Sequence, residues 1–402
     1  MNKKYYYIFL TGRFISSFGN WFVEMALPFI IYAITGSALA VAASFLLETL
    51  PILLLSPYTA YVIDHYQKRN ILIICQLISA VVISICMLSS CKNVYILYIA
   101  CLLFSVVGNI YTTTINTYIP EISYGLDLEF ANMMDSYAGN ISMVIAPVIA
   151  GWCIKYYGNI ISFGIDGVTF LISMFLLMLL PKAKTKKHIE EINSTKTKVS
   201  TYAKALSSAF LHFPFLKYII AICIAFSSCG AIFSALDAVY IAEIFDNSVD
   251  VYGYINSAWG IGMLMTGALI WCFKNRKDTT LFCLGILFMG IATVGYGLSA
   301  HIVTCVLFNF IGGLSNTLYV VYFRTLIQKN TTTENRGGVF TMQSTISKVI
   351  SILVVGLAGI TAEIYSVRHI IVLSGIMAIL VAVLGFVIFN THISKKEIDI
   401  TQ

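Results

Sequence analysis

The sequence predicts an all-α membrane protein, with twelve transmembrane helices in two pseudo-symmetric six-helix bundles. Three observations carry this. Apolar stretches recur along nearly all of the 402 residues, each close to the ~20 residues that a bilayer-spanning helix needs. The chain is 58% hydrophobic and only 11% charged, against roughly 25% charged in soluble domains. One long hydrophilic interruption divides the stretches six and six.

Span 1, near 8–34, is too long for a signal-peptide apolar region and lacks a small-residue cleavage site, so it is read as retained. It carries Arg13, Ser16, Ser17, Asn20 and Glu24 on one helical face. A charge at membrane depth costs roughly 2.5–3.5 kcal/mol on insertion scales, so this stripe must face the bundle interior. Span 2, near 38–63, holds Glu48, which like Glu24 lies about 15 Å from the outer end of its helix. Spans 3 and 4, near 71–91 and 94–118, follow; the latter offers Asn109, Tyr111 and Asn116. Span 5, near 131–157, precedes span 6, near 159–181, whose Asp166 reads as a residue that holds helices together.

The interruption, 182–213, separates a first bundle (1–181) from a second (214–402). Its start is a lysine- and threonine-rich connector. Its end places Tyr202, Leu206, Phe210 and Phe213 at helical spacing, the pattern of a helix lying on the membrane surface. Span 7, near 214–245, carries Asp237 slightly shallower than Glu24, and Glu243 close to the outer end. Spans 8 and 9, near 250–275 and 279–300, bring Asn256 and Trp259. Span 10, near 301–328, brings Asn309, Asn316, Tyr319 and Arg324. Span 11, near 337–364, brings Lys348, and span 12, near 367–391, is almost purely apolar. Ser16-Ser17-Phe18-Gly19 in span 1 matches Ser227-Ser228-Cys229-Gly230 in span 7, where a six-plus-six repeat requires it. Repeated halves place a binding site between them near the midplane.

Charge fixes the expected orientation. Eighteen lysines and arginines fall in segments that face the cytoplasm when both termini lie inside. Three, Lys92, Lys155 and Arg368, face outward. That bias places both ends in the cytoplasm. The net charge of +6 is therefore a topology signal, and no nucleic-acid partner is expected. The ten cysteines show no paired spacing, so neither disulfide nor metal is assigned. No phosphate-binding loop or hydrolase signature occurs, which argues against ATP hydrolysis, enzymatic activity and a bound cofactor.

Glu24, Glu48 and Asp237 are the proton-coupling candidates, because carboxyls at one depth in a low dielectric can titrate during transport. Arg13, Arg324 and Lys348 are counter-charges or anion contacts. With Asn20, Asn116, Trp259 and Asn316 they line the expected substrate cavity, a large apolar pocket with few polar anchors.

Between spans 2 and 3 the chain reads Ala60-Tyr61-Val62-Ile63-Asp64-His65-Tyr66-Gln67-Lys68-Arg69. This resembles the loop signature of the major facilitator superfamily, Gly-x-Leu-Ala-Asp-Arg-x-Gly-Arg-Arg, matching at Asp64, Lys68 and Arg69. Ala60, His65 and Gln67 depart from it, which implies a weaker conformational latch. Ala146-Pro147-Val148-Ile149-Ala150-Gly151 is similar to the exporter motif Gly-Pro-x-x-Gly-Gly, with alanine in place of two glycines. Thr35-Gly36-Ser37-Ala38, Ile119-Pro120, Ala131-Asn132, Ile165-Asp166 and the Glu334–Phe340 stretch resemble the branch containing macrolide-efflux and enterobactin-exporter proteins, which has Arg where Gly338 stands. The resemblance implies Asp64, Lys68, Arg69, Pro147, Gly151 and Arg336 as conformational-switch residues. The expected function is proton-coupled antiport of a small amphipathic compound, macrolide-like, by a monomer in a bacterial cell membrane. The alternatives are export of a siderophore or other anionic metabolite, and a non-transporting sensor or immunity protein on this scaffold.

Overall fold

A computed structural model describes residues 3–89, 93–123, 128–181, 215–246, 248–270, 277–331 and 333–399. Among them are twelve helices and no strand: α1 (Lys3–Thr35), α2 (Ala38–His65), α3 (Lys68–Leu88), α4 (Val94–Ile122), α5 (Leu128–Tyr157), α6 (Ile160–Met178), α7 (Leu216–Ile244), α8 (Val249–Ile270), α9 (Asp278–Leu298), α10 (Ile302–Lys329), α11 (Thr333–Ile364) and α12 (Val367–Asp399). The all-helical expectation holds, and the spans are often longer than their apolar cores. α1 begins at Lys3 rather than near residue 8, because polar ends continue the helix beyond hydrocarbon depth. Eleven of the twelve are long and apolar enough to cross a membrane. α8 is diluted by Asp250, Tyr252, Gly253, Tyr254 and Asn256, of which Asp250, Gly253 and Tyr254 belong to the seam described below. The surface helix expected at 201–213 lies outside the described residues.

Local chemistry sets the helix boundaries. Gly36, with φ of 64°, breaks α1 in a left-handed conformation that costs glycine little. Ser37 then caps α2, its hydroxyl accepting from Ala40 N at 3.1 Å. Asn93 caps α4 in the same way, accepting from Tyr95 N at 2.9 Å.

The helices wear their apolar side outward. On α3, Ile74, Leu77, Ile78, Val81, Ile85 and Leu88 form an exposed stripe at helical spacing, while Gln76 and Ser79 are buried. α12 repeats this with Leu373, Ile376, Leu380, Val383, Leu384 and Val387. Contiguous exposed apolar faces of this length are a lipid-facing surface.

The chain clusters into two compact units. The first comprises Met1–His188 with Ala238–Ser257, so the end of α7 and the start of α8 fold with it. The second comprises Ile189–Asp237 with Ala258–Gln402. In the first, α1 packs on α5 and α6, α3 on α4 and α6, and α2 on α4. Tyr6, Phe9, Leu72, Tyr118 and Leu177 form a core at one end of this unit. In the second, α9 packs on α10 and α12, repeating the α3 pattern. Its core gathers Phe226, Phe282, Tyr319, Phe323 and Phe389.

Candidate functional site: membrane-depth charges and their partners

Glu24 on α1 and Glu48 on α2 sit mid-helix with exposed side chains, within electrostatic reach of one another. Among the described residues no ion pair engages either. Asp166 of α6 is only 2% exposed and interacts with Glu24 from the interior. Its Oδ1 accepts from Thr169 Oγ1 at 3.2 Å. Gly19 makes room for this contact. A Cβ there would stand 1.9 Å from Thr169 Oγ1 and 2.6 Å from Asp166 Oδ1, so α6 reaches α1 only because position 19 lacks a side chain. Gly230, its sequence counterpart, meets nothing within 4 Å, and the four-residue repeat does not extend to packing. Asp237 belongs to the second unit, buried on α7, where Tyr296 of α9 donates its hydroxyl to Oδ1.

Arg13 does not pair with the carboxyls of its own helix stripe. Its Nε faces Asp135 Oδ1 of α5 at 3.5 Å, and both atoms are buried without a hydrogen-bond partner. Its Nη1 donates to Ser17 Oγ, and its guanidinium lies 6.0 Å from the Tyr111 ring of α4. Beside it, Gln76 Nε2 of α3 lies 3.1 Å from Ser16 Oγ, 3.0 Å from Tyr111 Oη and 2.8 Å from Ser173 Oγ of α6. One amide has two protons for three oxygens, so the nest is fully used and tightly constrained. Five helices each contribute at least one member.

The signature-loop residues anchor locally. Lys68, opening α3, bonds to Glu121 and to Thr117 O at the end of α4. Arg69 donates Nε to Leu177 O and Nη2 to Met178 O, capping carbonyls that end α6. Arg336 donates to Gln328 O at 3.1 Å. The Asp64 side chain lies outside the described residues.

At the other ends of these helices, α5 meets the start of α8. A Cβ on Gly253 would stand 2.3 Å from Pro147 O, and one on Gly151 would stand 2.8 Å from Asp250 Cα. Lys155 closes the seam on Asp250 at 2.7 Å, Trp152 donates to Tyr254 Oη, and Tyr32 donates to Glu243 at 3.2 Å. A cavity of about 460 Å³ opens alongside, lined by Phe29, Ile154, Lys155, Asn159, Asp246 and Asp250.

The other cavity candidates differ in burial. Asn20 and Asn316 are half-buried and Asn116 is exposed. Trp259 packs on the Gly312–Gly313 step of α10, where a Cβ on Gly312 would stand 2.8 Å from its ring. Arg324 is exposed and Lys348 half-buried, neither with an acidic partner among the described residues. Asp135, Glu121 and Asp250 are absent from the sequence-derived candidates. The rule that singles out Glu24, a charge within an apolar stretch, applies equally to Asp135 and is the signal that finds it.

The family model described as Major Facilitator Superfamily matches residues 9–271 and 218–400. The chain belongs to this superfamily. An MFS-type transporter of Bacillus subtilis, YfiS, is 22% identical over 96% of this chain and 93% of its own. Macrolide efflux protein A of Streptococcus pyogenes is 21% identical over 95% of each chain. Among solved structures, the nucleoside transporter NupG superposes with a TM-score of 0.78 at 14% identity, covering 97% of this chain and 99% of that one. A bacterial homologue of ferroportin gives 0.72, covering 96% and 99%. These structural likenesses show the major facilitator fold, and with the family match they give a multi-pass membrane transporter scaffold.

Proposed function

We propose that this chain exports a small amphipathic compound from the bacterial cytoplasm in exchange for protons, as a monomer with both termini inside. Two halves, 1–181 and 214–402 joined by 182–213, rock around a central cavity. The observation that carries this reading is the Glu24–Glu48 pair: two accessible carboxyls at membrane depth, near one another and without a cation partner among the described residues. Two like charges so placed favour holding a proton between them, and a site that takes up and releases a proton is what antiport requires. Asp237 on α7 is the third candidate carboxyl. Asp64, Lys68, Arg69 and Arg336 act at the cytoplasmic rim and Pro147 and Gly151 at the α5–α8 seam, biasing one conformation over the other.

The macrolide efflux relative suggests the first probe. Cells expressing the chain, compared with cells lacking it, should accumulate less labelled erythromycin and tolerate more of it. Equal accumulation of erythromycin and of a cationic dye would overturn this substrate class. Arg324 and Lys348, without acidic partners among the described residues, favour a second reading, export of an anionic metabolite. Selective efflux of a catecholate siderophore, with erythromycin unaffected, would establish it.

A further inference from the structure

The nest around Arg13 has a counterpart. One and the same spacing along the chain separates Tyr111 from Tyr319, Glu121 from Lys329 and Asp135 from Gln343. In the second unit, Tyr319 Oη lies 2.8 Å from Cys223 Sγ. Gln343 Nε2 lies 3.2 Å from that sulfur and donates to Ser347 Oγ at 2.9 Å. Each unit thus gathers a polar group from its first helix, a tyrosine from its fourth and a polar residue from its fifth. The copies differ in charge. The first contains an ion pair; the second is built from a thiol, a phenol, an amide and a hydroxyl.

We propose that Asp135 is a further proton-carrying group of the transport cycle, and that Arg13 is the cation its protonation releases. The inference rests on the proton-coupled reading above. Arg13 Nε and Asp135 Oδ1 face each other at 3.5 Å, and neither atom has another hydrogen-bond partner, so the contact is chiefly a charge pair. Removing the charge on Asp135 removes the hold. Arg13 then keeps Ser17 Oγ and the Tyr111 ring, the contacts it already has. The charged and titratable groups facing Asp135 are Arg13 and Tyr6 of α1, with Tyr111 of α4 beyond the guanidinium; Gln76 of α3 and Ser173 of α6 complete the nest as neutral members. Both ion-pair side chains keep partial access, 20% for Arg13 and 17% for Asp135, so a proton carried by water can add to the carboxylate. Arg13 keeps its own charge, and the step reverses when the same proton leaves. Gln343 shows that the fold accepts the neutral, donating form at this position, because an amide N–H donates as a protonated carboxyl O–H does.

The test is infrared difference spectroscopy of the purified full-length protein in phosphatidylethanolamine–phosphatidylglycerol vesicles, titrated from about pH 5 to about pH 9, a range that covers perturbed carboxyls. The protonated-carboxyl band of the wild type should lose one component in Asp135→Asn, keep it at a shifted position in Asp135→Glu, and move its midpoint in Arg13→Gln. Asp135→Asn leaves a half-buried cation without its acidic partner, so Arg13→Gln/Asp135→Asn, which removes both charges, serves as the folding control and should lack the same component. Spectra of Asp135→Asn and the double variant that superimpose on wild type across the range would overturn the proposal. A titrating Asp135 in a protein whose export ignores the proton gradient would instead overturn the antiport reading alone.

Discussion

Glu24→Gln separates two roles for a carboxyl at the middle of α1. Glutamine mimics the protonated form, so a proton carrier at this position should lose gradient-driven export in the variant yet retain substrate exchange across vesicles. If Glu24 instead anchors a cationic ligand, equilibrium binding should fall by about 1.5–3 kcal/mol, the range for a charged hydrogen bond; binding and pumping at wild-type levels would remove Glu24 from the site. Its candidacy was legible in the sequence because a charge in an apolar run demands a reason. Its surroundings were not. Asp166 and Thr169 pack against α1 only because Gly19 is bare, and Arg13 finds Asp135 on α5 rather than an acid on its own helix. Such pairings depend on how distant helices are rotated against each other, and the pattern of one helix does not record that rotation. Asp237 likewise gains Tyr296, a buried hydroxyl from α9.

At the level of elements, two ion pairs occupy equivalent places with opposite polarity. Asp278 opens α9 and Lys329 ends α10; Lys68 opens α3 and Glu121 ends α4. The second arrangement sets a cation at a positive helix end and an anion at a negative one, each unfavourable by about 0.3–1 kcal/mol. Exchanging the charges, Lys68→Glu with Glu121→Lys, should therefore leave the melting temperature in detergent unchanged or raised. If the signature loop governs the conformational switch, turnover should nevertheless fall; unaltered transport would show that Lys68 is kept for no such purpose. The α5–α8 seam offers a contrast in magnitude. Lys155 is half-exposed, so its ion pair is solvent-screened and Lys155→Gln should leave the melting temperature nearly unchanged. Gly253→Val must push against the Pro147 carbonyl and should cost about 1–3 kcal/mol, with export reduced in step. Equal thermal shifts for the two variants would mean that the seam is looser than it is drawn. Pro147 and Gly151 were legible as a motif, while Asp250 and Gly253, the residues they meet, carry no local signature.

At the scale of the whole molecule, hydropathy and charge sufficed for the number of helices and the fold class, since a bilayer allows few ways to satisfy a backbone. The function proposed above couples a proton gradient to movement of a substrate, and Asp64 tests the switch apart from the site. It sits one residue before the end of α2, far along the chain from the mid-helix carboxyls. Asp64→Asn should slow turnover five- to thirty-fold, the effect of about 1–2 kcal/mol on a conformational balance, while substrate affinity changes little. A large affinity loss with normal turnover at saturation would reverse that assignment. The most direct test of proton-coupled export is efflux of preloaded labelled erythromycin from cells expressing this chain, followed before and after a protonophore with cellular ATP held constant. Efflux should stop when the gradient collapses; efflux continuing at its initial rate would contradict proton coupling.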